Sequence, residues 1–284
     1  MLTLQGLERD RQLDALPEHR GARRWPCKPL INRDVFSFAS LILTRNIANF
    51  AIICALMTSQ QLKAGRVKAA LTQLQAAPRL RVSQPYLSQL ENGTRPVTAV
   101  LARRAASVYR LPATALPLPS SPTKEVEVSK LAHQLASLGY PGFAHLRGGS
   151  YKANPAMVVL GALLHRNLET RLSEALPWVV AAYPNLQWDW LVQQAKLNDV
   201  QNRLGFVVDL ARKVAERSKH QSGLAQLSEV SDFLGRSLLA HEDTLCRESM
   251  SEVERNWLAE NRSPYAKRWN LLTGLAPEQL SYGA

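Results

Sequence analysis

The stretch Val82-Ser83-Gln84-Pro85-Tyr86-Leu87-Ser88-Gln89-Leu90-Glu91-Asn92-Gly93 decides the fold. Ser83 is a helix cap, because its hydroxyl can accept from a backbone N–H two or three residues on, and Pro85 suits a first turn, where a missing donor does no harm. Gly93 supplies the left-handed stop. Between those ends Val82, Tyr86, Leu87 and Leu90 recur every three or four residues and form one apolar face, which leaves Gln84, Ser88 and Gln89 pointing outward. That outer face is polar, uncharged and rich in amides. A glutamine can donate to and accept from adenine at once, so this is the surface expected of a helix that reads a major groove.

Upstream, Thr72-Gln73-Leu74-Gln75-Ala76-Ala77 reads as a second capped helix, and Arg79-Leu80-Arg81 carries the chain from it into Val82. At Gln73, Ala77, Val82, Ser83, Gln84, Ser88, Glu91 and Gly93 the sequence closely resembles the lambda-repressor-like, Cro-type (Xre family) helix-turn-helix regulators. The likeness continues through Thr94-Arg95-Pro96-Val97-Thr98 and a helix from about Ala99 to Tyr109 to the Leu111–Leu116 stretch, about a fifth of the chain. It implies a five-helix DNA-binding domain over residues 58–118. Gln84, Pro85, Ser88 and Gln89 would meet base edges, and Pro85 is placed to touch a thymine methyl. Gln73, Arg79, Arg81, Thr94 and Arg95 would meet phosphates, with Gln73 also bracing Gln84. Tyr86, Leu87 and Leu90 would be core, and Glu91 would pair with a nearby arginine. Two positions depart from the family pattern. Arg81 stands where glycine is usual at the turn, and Pro78 falls inside the second helix, which is therefore expected to be short or kinked.

Charge points to the same place. The chain carries 35 Lys and Arg against 23 Asp and Glu, a net charge of +12 and a pI near 10.0. Residues 58–118 hold nine of the basic side chains and one acid, Glu91, whereas residues 119–284 hold 18 basic and 17 acidic ones. The excess is concentrated in one small module, as expected for contact with a phosphate backbone.

Residues 1–57 look foreign to that module. A polar, Arg- and Pro-bearing stretch precedes a mostly apolar run from Val35 to Met57. The run has the length of a membrane span, but Arg45 lies near its middle, and a central charge costs about 3 kcal/mol even on lenient insertion scales. No secretory signal pattern fits. Two readings remain for this extension. Either it is a misassigned or disordered start, with Met57 the true initiator, or the run is an amphipathic or buried helix packed on the module.

Pro117-Leu118-Pro119-Ser120-Ser121-Pro122-Thr123 has a linker's composition, and residues 119–127 are read as the joint to a second domain over 128–284. That domain is expected to be helical, so the fold class is all-α. Its candidate helices are Val128–Leu138, closed by Gly139, then Pro155–His165, Leu168–Leu176, Pro177–Tyr183, Leu186–Leu197, Val200–Arg217, Leu224–Leu245 and Ser251–Glu260. The Pro-Trp and Tyr-Pro punctuation around Leu176 to Leu186 suggests stacked short helices in a solenoid-like array, although no repeat period is evident.

Catalytic and metal signatures are weak. None of the six histidines forms a two-His helical pair around a glutamate, and Cys27, Cys54 and Cys246 lack paired spacing, so no metal or other cofactor is expected and a reducing cytoplasm suits the cysteines. Gly148-Gly149 reads as a turn rather than a phosphate loop. Arg236-Ser237-Leu238-Leu239-Ala240-His241 resembles, on a helix, the motif of HEPN-type ribonucleases, with His241 as acid or base and Arg236 holding phosphate charge. Matches of this length arise readily by chance. Trp188-Asp189-Trp190, with Lys196, Asn198, Asp199, Gln201, Asn202 and Arg203, is read either as a ligand-stacking cluster or as core tryptophans beside a helix start with buried hydrogen bonds. The expected function is a non-enzymatic, sequence-specific transcriptional regulator, a repressor, that binds double-stranded DNA as a homodimer. Its helical C-terminal domain would dimerise, sense a ligand or bind a partner such as a toxin. The alternatives are an autoregulating antitoxin and the ribonuclease.

Overall fold

The computed structural model describes residues 57–119, 126–148, 153–217 and 223–280. The expectations for residues 1–56 lie outside the described residues. Four helices open the described chain: α1 (Ser59–Lys68), α2 (Gln73–Leu80), α3 (Gln84–Glu91) and α4 (Ala99–Val108). Each begins at a Ser or Thr cap. Thr58 accepts from the Gln61 N–H at 3.1 Å and Thr72 from the Gln75 N–H at 3.2 Å, and each glutamine carbonyl accepts in return from the cap's own N–H. Such reciprocal boxes satisfy donors that a helix start otherwise leaves bare. The four helices bury Leu62, Ala76, Ala77, Leu80, Leu87, Leu90, Leu101 and Ala105 in one small core. The module, expected to have five helices, has four α-helices and a 3-10 turn at Ala113–Ala115.

The turn between α2 and α3 explains how arginine replaces glycine there. Arg81 takes the left-handed conformation (φ 57, ψ 47), while its N–H donates to Pro78 O and the Val82 N–H to Ala77 O, both at 3.0 Å. These paired bonds close the last turn of α2 around an unfavourable backbone region, at a cost that glycine would avoid. Pro78 lies near the end of α2, so only the bond to Leu74 O is lost and the helix runs just eight residues.

The second core is larger. After α5 (Val128–Leu138), ended by left-handed Gly139 (φ 99), come a 3-10 segment (Pro141–Leu146), α6 (Pro155–Leu163), α7 (Thr170–Ala182), α8 (Trp188–Leu197), α9 (Gln201–Arg217) and α10 (Leu224–Gly235). Then follow β1 (Asp243–Thr244), α11 (Glu252–Asn261), α12 (Pro264–Arg268), β2 (Leu271–Leu272) and a 3-10 turn at Pro277–Gln279. The strands pair in parallel, Asp243 with Leu271 and Thr244 with Leu272. They are too short for any alternation to show in the sequence, and the class remains all-α.

Helix α9 is the hub. Every residue from Gln201 to Ala211 is buried, and α7, α8, α10 and α12 pack around it, which makes a bundle about a central helix instead of the expected solenoid-like stack. Gly205 lies against the indole of Trp269, where any Cβ would collide, so the absence of a side chain sets the approach of α12 to α9. Asp209, fully buried beside it, accepts from Ser231 Oγ (2.7 Å), Trp269 Nε1 (2.8 Å) and Arg268 Nη1 (3.1 Å). A buried carboxylate held by three donors meets the requirement that interior charge be satisfied.

Two expected helix boundaries are corrected. Leu168–Leu176 and Pro177–Tyr183 are one helix, Thr170–Ala182, with Pro177 inside it. A proline's φ is helical, and the single lost bond is outweighed by burial of Leu172, Leu176, Val179 and Val180. The helix expected over Leu224–Leu245 stops at Gly235. Asn202 on α9 draws the following chain away, since its amide accepts from the Leu239 N–H (2.9 Å) and donates to Leu239 O (3.0 Å), while Asn270 donates to the same carbonyl.

Residues 113–119, which follow α4, lie on the second core. Leu118 is part of that core, Asn154 Nδ2 donates to Leu116 O at 2.8 Å, the Gln187 amide donates to Thr114 O, and Trp190 Nε1 donates to Pro119 O at 3.1 Å.

Candidate nucleic-acid interface

Helix α3 is fixed by its start. Ser83 is extended (φ −77, ψ 152) and accepts from the Tyr86 N–H, Pro85 occupies the first turn, and Leu87 and Leu90 are fully buried. At 100° per residue the buried pair turns Gln84, Pro85, Ser88 and Gln89 to one outer face. Pro85 and Gln89 are exposed, and Gln84 and Ser88 are half-buried. Arg79 and Arg81 are exposed on one flank in sequence, Thr94 and Arg95 on the other. The Thr94 N–H donates to Gln89 O at 3.0 Å, which ties the loop beyond left-handed Gly93 (φ 77) to the end of α3.

A chain of hydrogen bonds sets the conformation of Gln84. Arg66 on α1 grips Glu91 through Nε (2.7 Å) and Nη2 (2.9 Å) and spends Nη1 on Leu71 O (2.8 Å). Glu91 Oε2 accepts from Gln73 Nε2 (2.9 Å), and Gln73 Oε1 accepts from Gln84 Nε2 (3.0 Å). The order of donors follows from the charges. Arginine only donates and an ionised carboxylate only accepts, so Gln73 must turn its NH2 to Glu91 and its oxygen to Gln84, and Gln84 must answer with an N–H. Gln84 then keeps its carbonyl and one N–H for the outside, the pair that adenine's edge requires.

Ionisation at the buried end supports this order. Burial would raise the Glu91 carboxyl, but hydrogen bonds from Arg66 and Gln73 outweigh it and leave the group below the usual carboxylate range. The hydrogen bond to Glu91 raises Arg66, and burial together with the Glu91 charge pushes the Tyr109 hydroxyl up to about 12. The centre of the module is thus a stable ion pair through neutral pH.

The bracing of Gln84 by Gln73 and the pairing of Glu91 with an arginine agree with expectation. The identity of that arginine was missed, since Arg66 lies 25 residues from Glu91 and counts in any charge tally like a surface residue. Arg104 is likewise turned inward, donating to Leu80 O at 2.7 Å. Tyr86, expected in the core, packs against it but is half-buried, with the Arg95 guanidinium over its ring, 5.7 Å from the centroid.

The C-terminal candidates separate. Trp188 and Trp190 are core residues, and Asn202 and Arg203 make buried hydrogen bonds, which agrees with the plainer reading of that cluster. Arg203 pairs with Asp243 through Nε (2.6 Å) and Nη2 (2.8 Å), and its Nη1 donates to Leu163 O and His165 O. Asn198, Asp199, Arg203 and His241 share a polar cleft of about 290 Å³. Arg236 and His241 are both exposed beyond the end of α10 and share no helix face. Cys246 is buried, and burial pushes its thiol up to about 11. Among the described residues no group of His, Cys, Asp and Glu is placed to hold a metal ion, and no helix is long and apolar enough to cross a membrane.

A family model described as a helix-turn-helix domain matches residues 59–118. No curated protein and no solved structure matches the chain. Residues 59–118, with their capped α2, left-handed turn and amide-faced α3, match a helix-turn-helix domain.

Proposed function

We propose that this protein is a sequence-specific transcriptional regulator of the Cro-type, Xre class, a repressor that reads the major groove with α3 and acts as a homodimer on a two-fold site. One observation carries the reading. The relay from Arg66 through Glu91 and Gln73 fixes the amide of Gln84, so that a bidentate pair of groups is presented on a helix whose neighbours Pro85, Ser88 and Gln89 share the same face. Gln73, Arg79, Arg81, Thr94 and Arg95 supply the flanking phosphate contacts, which set register without reading sequence. A single module of this size covers few base pairs, and pairing on a palindrome extends the readout. Genome-wide footprinting with the wild type and Gln84→Ala tests the proposal. Discrete sites for the wild type, lost in the variant while weak salt-sensitive binding persists, are expected; identical footprints refute the base-reading role.

A further inference from the structure

The two edges of the reading face of α3 are built differently. On the Gln84 edge the amide relay fixes a neutral side chain. On the opposite edge, about 60° around the helix from Gln89 and one turn before it, stands Tyr86. Its ring packs against the module's core and carries the Arg95 guanidinium over it, 5.7 Å from centroid to Cζ. That separation is within range of a cation–π contact, and a planar, weakly hydrated guanidinium suits an aromatic face better than an ammonium does. Arg95 is exposed on the loop after Gly93, where an arginine side chain ordinarily samples many rotamers.

Resting on the DNA-binding reading above, we infer that Tyr86 is a positioning residue: its ring holds the Arg95 guanidinium at the Gln89 edge of α3, directed at the DNA backbone phosphate there, so that this phosphate contact depends on the aromatic face. The hydroxyl of Tyr86 plays no part. Arg95 neutralises the phosphate and fixes the distance of α3 from the groove floor, and Tyr86 removes the rotamer freedom that would otherwise weaken the contact.

A double-mutant cycle on full-length protein, read by equilibrium binding to a duplex selected by the wild type over a range of salt concentrations, tests this. Arg95→Ala is expected to weaken binding and to lower the slope of log affinity against log salt by about 0.9, one phosphate contact. Tyr86→Leu, which keeps apolar volume but not the π face, should weaken binding by about 2- to 5-fold and lower the slope in the same sense. Tyr86→Phe should match the wild type, and the double variant Tyr86→Leu/Arg95→Ala should be no weaker than Arg95→Ala alone. Arg95→Lys, which leaves the core untouched, should lose affinity in the Tyr86 background and gain nothing from Tyr86→Leu. Additive single effects, or a Tyr86→Phe as damaging as Tyr86→Leu, overturn the inference. If Gln84→Ala loses its discrete sites while the cycle is additive, the stack alone fails; a wild type that selects no duplex removes the DNA-binding reading and the stack together.

Discussion

Each half of the molecule contains a bidentate arginine–carboxylate pair, Arg66 with Glu91 in the helix-turn-helix domain and Arg203 with Asp243 in the C-terminal half, and the two use their remaining hydrogen-bonding capacity in opposite directions. Glu91 passes its second oxygen outward, to Gln73 and through it to Gln84 at the surface. Arg203 turns inward, giving Nη1 to Leu163 O and His165 O and so joining α9 to the end of α6 and to β1. The same ion pair thus orients a surface side chain in one region and closes loops in the other. Disrupting the first should alter recognition as well as stability, whereas disrupting the second should alter stability alone.

The largest effect is expected for Arg203→Ala. It takes both guanidinium bonds from Asp243, which keeps only the Thr244 N–H, and removes the Arg203 donor from two buried carbonyls, at a cost of about 3–5 kcal/mol, visible as a lower denaturation midpoint for the C-terminal half. A loss below about 1 kcal/mol would mean that solvent enters the site and replaces the guanidinium. Glu91→Gln comes next, with about 1.5–3 kcal/mol lost with the charged hydrogen bonds. Unlike Arg203→Ala it should also relax base preference, because an amide at position 91 no longer dictates which end of Gln73 faces Gln84. Stability loss with unchanged base preference would show that Gln84 is oriented by something other than the relay.

Gly205→Ala separates packing from charge. The new methyl meets the Trp269 indole, and overpacking of this kind costs about 1–3 kcal/mol with no change in DNA binding. The smallest effect is expected for Arg81→Gly, which relieves a left-handed arginine (φ 57). Thermal unfolding of the helix-turn-helix domain should rise by up to about 1 kcal/mol, while DNA affinity falls with the lost charge. The Glu91 pair also predicts a pH signature. Its carboxyl is held below the usual range, so its stabilisation is fully present above the unfolded carboxylate's pKa and is lost as pH falls through the lower folded value. A melt series from neutral to acid should therefore be flat near neutrality and drop only in the acid range, and Glu91→Gln should remove that part of the drop.

Helix α3 was legible because its signals are local: a cap at Ser83, a proline in the first turn, a glycine stop and one apolar stripe within twelve residues. Gln73 and Gln84 were legible as a pair for the same reason, being joined across one short turn. Arg66 was not, since nothing in a basic first helix distinguishes an arginine aimed at Glu91 from one aimed at solvent. The end of α10 at Gly235 was hidden similarly. Leu238 and Leu239 continue a helical period, and only Asn202 and Asn270, 37 and 31 residues from Leu239, reveal why the chain leaves the helix. Pro177 misled in the other direction, as a local helix breaker overruled by a buried face. Tyr86 lies between these cases: its spacing put it on the apolar stripe, and its partner Arg95 lies past the glycine stop, where periodicity no longer applies.

Selection of full-length protein against a random duplex library, with the wild type and Gln84→Ala in parallel, tests the central claim most directly. The account predicts that the wild type enriches one short motif in two copies related by two-fold symmetry, about one helical turn apart, and that Gln84→Ala loses its preference at a single position in each half-site while keeping the rest. Enrichment of the same motif by both proteins with unchanged preference at every position, or no motif above a salt-sensitive background, would contradict it.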